Sequence, residues 1–363
     1  MSRPSEVLLV VEQLRRRVPG GIGSMIRGLL KGLRSQGEGP GAPLSVTLYA
    51  SRAPSGPDAL EQFGRPVVQC ALPGPIMTRA WDRGLLDVPK DFDVVHASSL
   101  AAPPGRNAAL AVTVHDLTWR RLPEAFPRRG RRWHEASLRR VMSRAAVLVV
   151  PSEPVARDLL AAGASEGSVE VIPLGCDHLP PPDLRAAEEL LGSLGVGGEY
   201  LLSVGTLEPR KNLPRLLEAY GLARPRLPEA WPLVLVGPGG WGPGVVPGPG
   251  VVLAGSVSEA TLAALYRRAR LLAYVPLLEG FGLPPLEAMR EGTPVVASRV
   301  PSVGDSTMEV DPRNVDDIAD ALVTVASDEK VRRQLVSAGL ARAAELTWAN
   351  NARRHLELWA SLG

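Results

Sequence analysis

Short apolar runs recur along the chain, and longer amphipathic stretches separate them. "VLLVV" (7–11), "LSVTLYA" (44–50), "DVVHA" (93–97), "ALAVTV" (109–114), "AVLVV" (146–150) and "VEVIP" (169–173) have the length and apolar content of strands buried on both faces. Between the first two, "IGSMIRGLLKGL" (22–33) sets Ile22, Met25, Ile26, Leu29, Leu30 and Leu33 at helical spacing. Helices are also expected around 131–144 and 153–162. This is the β-α-β rhythm of a parallel sheet covered on both faces. The three prolines of "HLPPPD" (178–183) can continue neither a strand nor a helix interior. The rhythm then restarts with "YLLSV" (200–204), a helix from about 212, "PLVLVG" (232–237), "VVLAG" (251–255), a helix from about 258, "LLAYV" (271–275), a helix from about 285 and "PVVAS" (294–298). The expected architecture is therefore α/β, with two Rossmann-like doubly wound sheets over 1–178 and 179–347, joined by a Pro-rich hinge. Ligands of such sheets gather outside the carboxyl ends of the strands, here in the cleft between two facing domains.

Composition removes several alternatives. The apolar fraction of 45% fits a globular chain with a substantial core. A net charge of +3 is small for 363 residues and calls for no nucleic-acid partner. Cys70 and Cys176 stand far apart without a CxxC partner, as in a reduced, cytoplasmic protein. The apolar run near the N-terminus is flanked by acidic residues and reads as a first strand, not a signal peptide. No apolar run approaches the ~20 residues needed to span a bilayer. The basic segment 127–145 carries an apolar stripe of Leu138, Val141, Met142 and Ala145. It is either the solvated face of a packed helix or a contact for an anionic acceptor or membrane surface.

The chemistry concentrates at a few strand ends. In "LEGFGLPPLEAM" (278–289), Glu279 and Glu287 bracket two glycines and a Pro-Pro pair. The prolines suit the first turn of a helix. The amides of Gly280, Phe281, Gly282 and Leu283 can then point at a ligand, and the two carboxylates can accept from sugar hydroxyls. The plainer reading makes Glu287 a complement to the helix N-terminus and leaves Glu279 solvated. In "LLSVGTLEPRKNLPRLLEAY" (201–220), Arg210 and Lys211 follow a buried strand, and Asn212 is placed to cap the next helix. Such a cation pair is a phosphate site or a solvated turn. The chain has only four lysines, which favours a role for Lys211.

The glycines of "VPGGIGSMI" (18–26) lack the third glycine of a dinucleotide fingerprint and read as a flexible loop facing the cleft. No GxxxxGK[ST] loop is present. His96 and His115 stand at expected strand ends, and Asp116 follows His115. Asp91-Phe92-Asp93 forms a DxD string at the wrong end of its strand for the cleft, and no cluster has zinc spacing. No metal is expected.

Taken in order, "VPGGIGSMIRGLL", "TVHDLTW", "VIPLGCD", "VGTLEPRKN", "VSEATLAALYRRA" and "EGFGLPPLEAMREGTPVVAS" resemble the retaining family-4 glycosyltransferases of GT-B fold over nearly the whole chain. The resemblance implies transfer of a hexose from a nucleotide-sugar donor to a hydroxyl acceptor, with retention and without a cofactor or metal. Arg210 and Lys211 would neutralise the donor diphosphate. Glu279, with the amides of Gly280, Phe281, Gly282 and Leu283, would hold the donor sugar. Glu287 would accept from the ribose hydroxyls, Val257 would lie near the nucleobase, and His115 would approach the transferring sugar. Gly20 and Gly21 would form a loop against donor or acceptor. The last helix, 348–363, would cross back to the first domain. Thr206 stands where many members carry a basic residue, and the loop 237–250 is shorter than usual. The "GTLEPRKN" form is similar to bacterial mannosyltransferases, which points to GDP-mannose. A GT-B epimerase or phosphorylase and a non-catalytic sugar-nucleotide-binding partner fit the same residues. A glycoside hydrolase would leave the Arg-Lys loop without a task.

Overall fold

The computed structural model describes residues 5–36, 44–53, 55–240, 244 and 246–363. Residues 241–243 and 245 of the short loop lie outside that set. The chain divides into two compact units: Met1–His178 together with Thr347–Gly363, and Leu179–Leu346.

The first unit is built on a seven-stranded sheet. Its strands are β1 (Ser5–Val10), β2 (Leu44–Ala50), β3 (Val67–Gln69), β4 (Val94–Ala97), β5 (Ala109–Thr113), β6 (Val147–Val150) and β7 (Val169–Val171). They lie in the order β3-β2-β1-β4-β5-β6-β7, and every pairing is parallel. The central strands are buried on both faces, which is why they read as unbroken apolar runs. Strand β3 escapes that signal because it has only three residues, none fully buried. The Pro- and Gly-rich start of helix Gly74–Asp82 likewise resembles a turn in sequence.

The last helix, Trp348–Leu362, completes this unit by packing on helix Gly20–Ser35. Thr347 caps it by accepting from the Asn350 amide at 3.2 Å. Asp177 accepts from the Trp348 amide at 2.7 Å. The approach is possible because Gly28 has no side chain: a Cβ there would lie 2.0 Å from the Trp348 ring. Trp348 and Trp359 are fully buried as a result.

The second unit has six strands, β8 (Leu201–Val204), β9 (Leu233–Val236), β10 (Val251–Gly255), β11 (Leu271–Tyr274), β12 (Val295–Ala297) and β13 (Met308–Glu309). Their order is β10-β9-β8-β11-β12-β13, again all parallel. Strand order therefore reverses between β1 and β4 in one sheet and between β8 and β11 in the other. Such switch points open a crevice at the carboxyl ends of the strands.

Candidate functional site

The β8 and β11 strands are neighbours at the second switch point, and the chains leaving them carry the charged residues. After β8 the backbone makes one tight turn, Pro209–Lys211. Leu277, beyond β11, donates its amide to the Arg210 carbonyl at 3.0 Å. Asn212 follows with φ 58°, a left-handed conformation that asparagine tolerates better than most residues. Its position directly precedes helix Leu213–Ala223, as the sequence suggested, but its side chain does not cap the helix. Instead Nδ2 donates to the carbonyls of Val275 (3.1 Å) and Pro312 (2.7 Å), binding the two strand-end segments together.

This tie brings Arg210, Lys211 and Glu279 into one cluster. Lys211 Nζ lies 2.6 Å from Glu279 Oε1 and donates to the Tyr274 hydroxyl at 2.7 Å. Tyr274 in turn donates to the same carboxylate oxygen at 3.0 Å. Arg210 reaches Glu279 Oε2 at 3.0 Å and Glu208 Oε1 at 2.8 Å. Burial would push the Glu279 carboxyl up, but Arg210 and then Lys211 hold it down at about 2. Burial lowers the Lys211 ammonium, against the pull of Glu279. Burial, with Glu279 beside it, pushes the Tyr274 phenol well above its usual range. Glu279 is therefore an ionised acceptor. The solvated reading of this residue fails, because only 9% of its side chain is exposed.

The segment after Glu279 is held by Ser302, whose hydroxyl donates to the Gly282 carbonyl at 2.7 Å and whose amide donates to the Phe281 carbonyl at 3.1 Å. Gly282 has φ 94°, and a Cβ there would sit 2.1 Å from Val300 Cγ1, so only glycine fits. Helix Leu283–Arg290 starts at once, with both prolines in its first turn. Among the described residues, the amides of Phe281, Gly282 and Leu283 donate to no carbonyl oxygen. Glu287 lies beyond the first turn and is buried, so the terminal-complement reading also fails. The Tyr266 hydroxyl donates to its Oε2 at 2.8 Å. Burial, then the Glu287 charge, pushes the Tyr266 phenol well up.

Comparison with known proteins gives this geometry a family. The structure of Anabaena Alr3699/HepE in complex with UDP and glucose superposes with a TM-score of 0.73, covering 98% of this chain and 100% of that one. Sequence identity there is 18%, so the likeness concerns the fold alone. A family model described as Glycosyltransferase Family 4 matches residues 19–178, and one described as Glycosyl transferases group 1 matches residues 198–328. The O-antigen chain mannosyltransferase B of Escherichia coli is 31% identical over 262 residues, which cover 68% of this chain and 69% of that protein. The chain belongs to the GT-B glycosyltransferases. The serotype-specific mannosyltransferase WbdA of Escherichia coli is 33% identical over 176 residues; the match takes in 44% of this glycosyltransferase but only 21% of that longer protein.

The remaining expected residues of the glycosyltransferase fall in different places. Val257 is half-buried on the turn between β10 and helix Glu259–Arg268, at the edge of the sheet. His115 belongs to the first unit, just past β5. Its Nε2 donates to the Ser98 carbonyl at 2.9 Å, which leaves Nδ1 as the acceptor of a neutral ring. Burial lowers its pKa, while the Ser98 carbonyl and Asp116 oppose the shift. Asp116 accepts from the Thr118 amide at 2.9 Å.

Two expectations need correction. Gly20 and Gly21 are not a flexible loop, since helix Gly20–Ser35 begins there and the glycines form its first turn. His96 does not line a strand-end rim beside His115. It is the third residue of β4 and is buried, accepting from Trp359 Nε1 at 3.0 Å while its Nε2 faces Thr113 Oγ1 at 2.8 Å. Of the DxD pair, Asp93 accepts from the Glu6 amide at the amino end of β1. Among the described residues no group of three His, Cys, Asp or Glu is arranged to hold a metal, and no helix is long and apolar enough to cross a membrane. Sequence reasoning missed Glu208, Tyr266 and Tyr274. Tyr274 had a visible signal, as the one hydroxyl-bearing residue in the apolar run 271–275.

Proposed function

We propose that this glycosyltransferase moves a hexose, with mannose favoured, from a nucleotide diphosphate sugar to a hydroxyl acceptor with retention of configuration. The observation that carries the reading is the cluster of Arg210, Lys211, Tyr274 and Glu279 at the β8–β11 switch point. It holds two cations where a diphosphate would bind and an ionised carboxylate that can only accept hydrogen bonds.

In this reading Arg210 and Lys211 exchange part of their hold on Glu279 for the diphosphate and stabilise the negative charge of the departing nucleotide. Glu279 then accepts from hydroxyls of the donor sugar, and the amides from Gly280 to Leu283 face the same ligand. Glu287, steadied by Tyr266, accepts from the ribose. Val257 lies toward the nucleobase, and His115 and the first turn at Gly20–Gly21 serve the transferring sugar and the acceptor. The acceptor oxygen bonds to the anomeric carbon on the face that the diphosphate leaves, and its proton passes to the departing phosphate oxygen. No protein nucleophile and no resident metal take part. The two Escherichia coli relatives, both mannosyltransferases, support mannose. The UDP and glucose of the Anabaena structure support a nucleotide-sugar donor. The buried thiols Cys70 and Cys176 suit a cytoplasmic protein.

Thermal unfolding with UDP, GDP, ADP and dTDP tests the donor site. A ligand bound by the folded state alone raises the midpoint by mass action. GDP is expected to give the largest rise. If none of the four moves the midpoint at millimolar concentration, the donor-site reading falls.

A further inference from the structure

A groove of about 1210 Å³ opens in the first unit, beside the carboxyl ends of β1, β2 and β3. The segments that follow those strands form most of its wall, together with helix Gly74–Asp82 and with Trp133 from helix Arg128–Met142. Its charges are unequally committed. Asp58 pairs with Arg15, both side chains being nearly buried. Glu12 accepts from the Ser51 amide at 2.8 Å. Asp82 is held by Arg140 and by Trp133 Nε1, the latter at 2.9 Å. Every acid of the lining therefore has an internal partner. Arg16, Arg17, Arg52 and Arg79 are exposed on the same groove, and among the described residues none of their guanidinium groups forms an ion pair or hydrogen bond.

Four arginines around one hollow, without an ion-pair partner among the described residues, repel one another and attract an oxyanion. Arginine's planar fork suits phosphate better than a monovalent point charge would. The volume far exceeds that of a free phosphate ion and reaches the range of sites for ligands of several rings. The half-buried Trp133, fixed by Asp82, adds an aromatic body to the wall. We propose that this groove binds a phosphorylated glycan, and that the acceptor of the transferase is anionic, carrying a phosphate or diphosphate held by Arg16, Arg17, Arg52 and Arg79. The link to the acceptor rests on the transferase reading above; the binding of a sugar phosphate does not.

Mannose 6-phosphate, inorganic pyrophosphate and plain mannose, titrated calorimetrically with GDP present to occupy the donor site, provide the test. Both phosphate probes should bind at least tenfold more tightly than mannose. Arg52→Ala/Arg79→Ala should weaken them at least tenfold, and Arg16→Ala/Arg17→Ala should do the same, whereas Lys211→Ala should leave them unchanged. These arginines are exposed, so the variants should keep the wild-type unfolding midpoint and its rise with GDP. Equal phosphate affinity in wild type and both double variants overturns the proposal. So does a result in which the variants lose only sedimentation with phosphatidylglycerol vesicles, since the groove would then read a membrane surface. Loss of nucleotide stabilisation in the wild type, with sugar-phosphate binding intact, instead removes the transferase reading and leaves the groove as a sugar-phosphate site.

Discussion

Lys211 Nζ and Glu279 Oε1 lie 2.6 Å apart although 68 positions separate them in sequence. The Tyr274 hydroxyl is shared between them, and Arg210 takes the other carboxylate oxygen. The pair is thus one edge of a network whose members all leave the two strands at the switch point. Lys211→Ala should lower turnover more than tenfold. Glu279 keeps Arg210, so the fold should persist, with a stability loss of roughly 1–3 kcal/mol for the lost partner. Steady-state kinetics beside a urea unfolding curve separates the two effects. Wild-type turnover would remove Lys211 from the site.

The same cluster predicts an acid limb. Folding lowers the Glu279 carboxyl from its usual value to about 2. A carboxylate depressed on folding stabilises the native state above its unfolded pKa, and that contribution is lost as pH falls from about 4.5 toward 2. The contribution is on the order of 3 kcal/mol at neutral pH. Glu279→Gln should flatten the stability profile in that window. An unchanged acid limb in the variant would mean that other carboxylates produce it.

How much of this was legible in the chain depends on burial. Strands such as β1 and β6, buried on both faces, were visible as apolar runs, whereas β3 and β13, with three and two residues, were not. Arg210, Lys211 and Glu279 were visible as charges at strand ends. Their mutual contact was not, because it depends on β8 and β11 being adjacent. Asn212 shows the limit of local reading. Its sequence position predicted a cap, but the left-handed backbone turned its side chain toward Val275 and Pro312. His96 misled for the opposite reason, since helix Trp348–Leu362 returns from far along the chain and Trp359 Nε1 donates to its ring.

That return gives a second pH dependence. His355 stacks on His96 at 5.3 Å and is lowered to about 4, first by burial; its carbonyl partner Asn351 opposes the shift and Arg354 adds to it. His96 is also held well below its usual range, first by burial and then by the nearby His355 and His115. Both rings are neutral when folded, so stability is full above about pH 6.5 and falls as the unfolded chain takes up protons below it. Chemical unfolding between pH 7 and pH 4 should show this loss, and His355→Leu should reduce it. A profile identical in wild type and variant would exclude His355 as its source.

The helix contact itself is testable through Gly28. A Cβ there meets the Trp348 ring at 2.0 Å, so Gly28→Ala must push the helices apart. Overpacking of this kind costs about 1–3 kcal/mol, and Trp348→Ala, which empties a buried ring, about 3–5 kcal/mol. The double variant should be less destabilised than the sum, because the alanine at 28 gains room when the ring is gone. Strict additivity in urea unfolding would contradict the packing described.

Glu287 and Tyr266 supply the sharpest separation of position from chemistry. The Tyr266 hydroxyl donates to Glu287 Oε2 at 2.8 Å, from a ring that is itself fully buried. Glu287→Ala removes the acceptor proposed for the ribose and should cut kcat/KM for the donor more than tenfold, through KM. Tyr266→Phe keeps the ring and the packing and removes one donor to a charged group, worth about 1.5–3 kcal/mol when fully effective. The carboxylate remains but is less firmly oriented. The expected result is a donor KM raised roughly tenfold with kcat nearly unchanged, since the ribose is remote from the reacting carbon and contributes to binding in ground state and transition state alike. A fall in kcat at unchanged KM would instead place Glu287 near the chemistry. Unaltered kinetics in both variants would remove the ribose assignment.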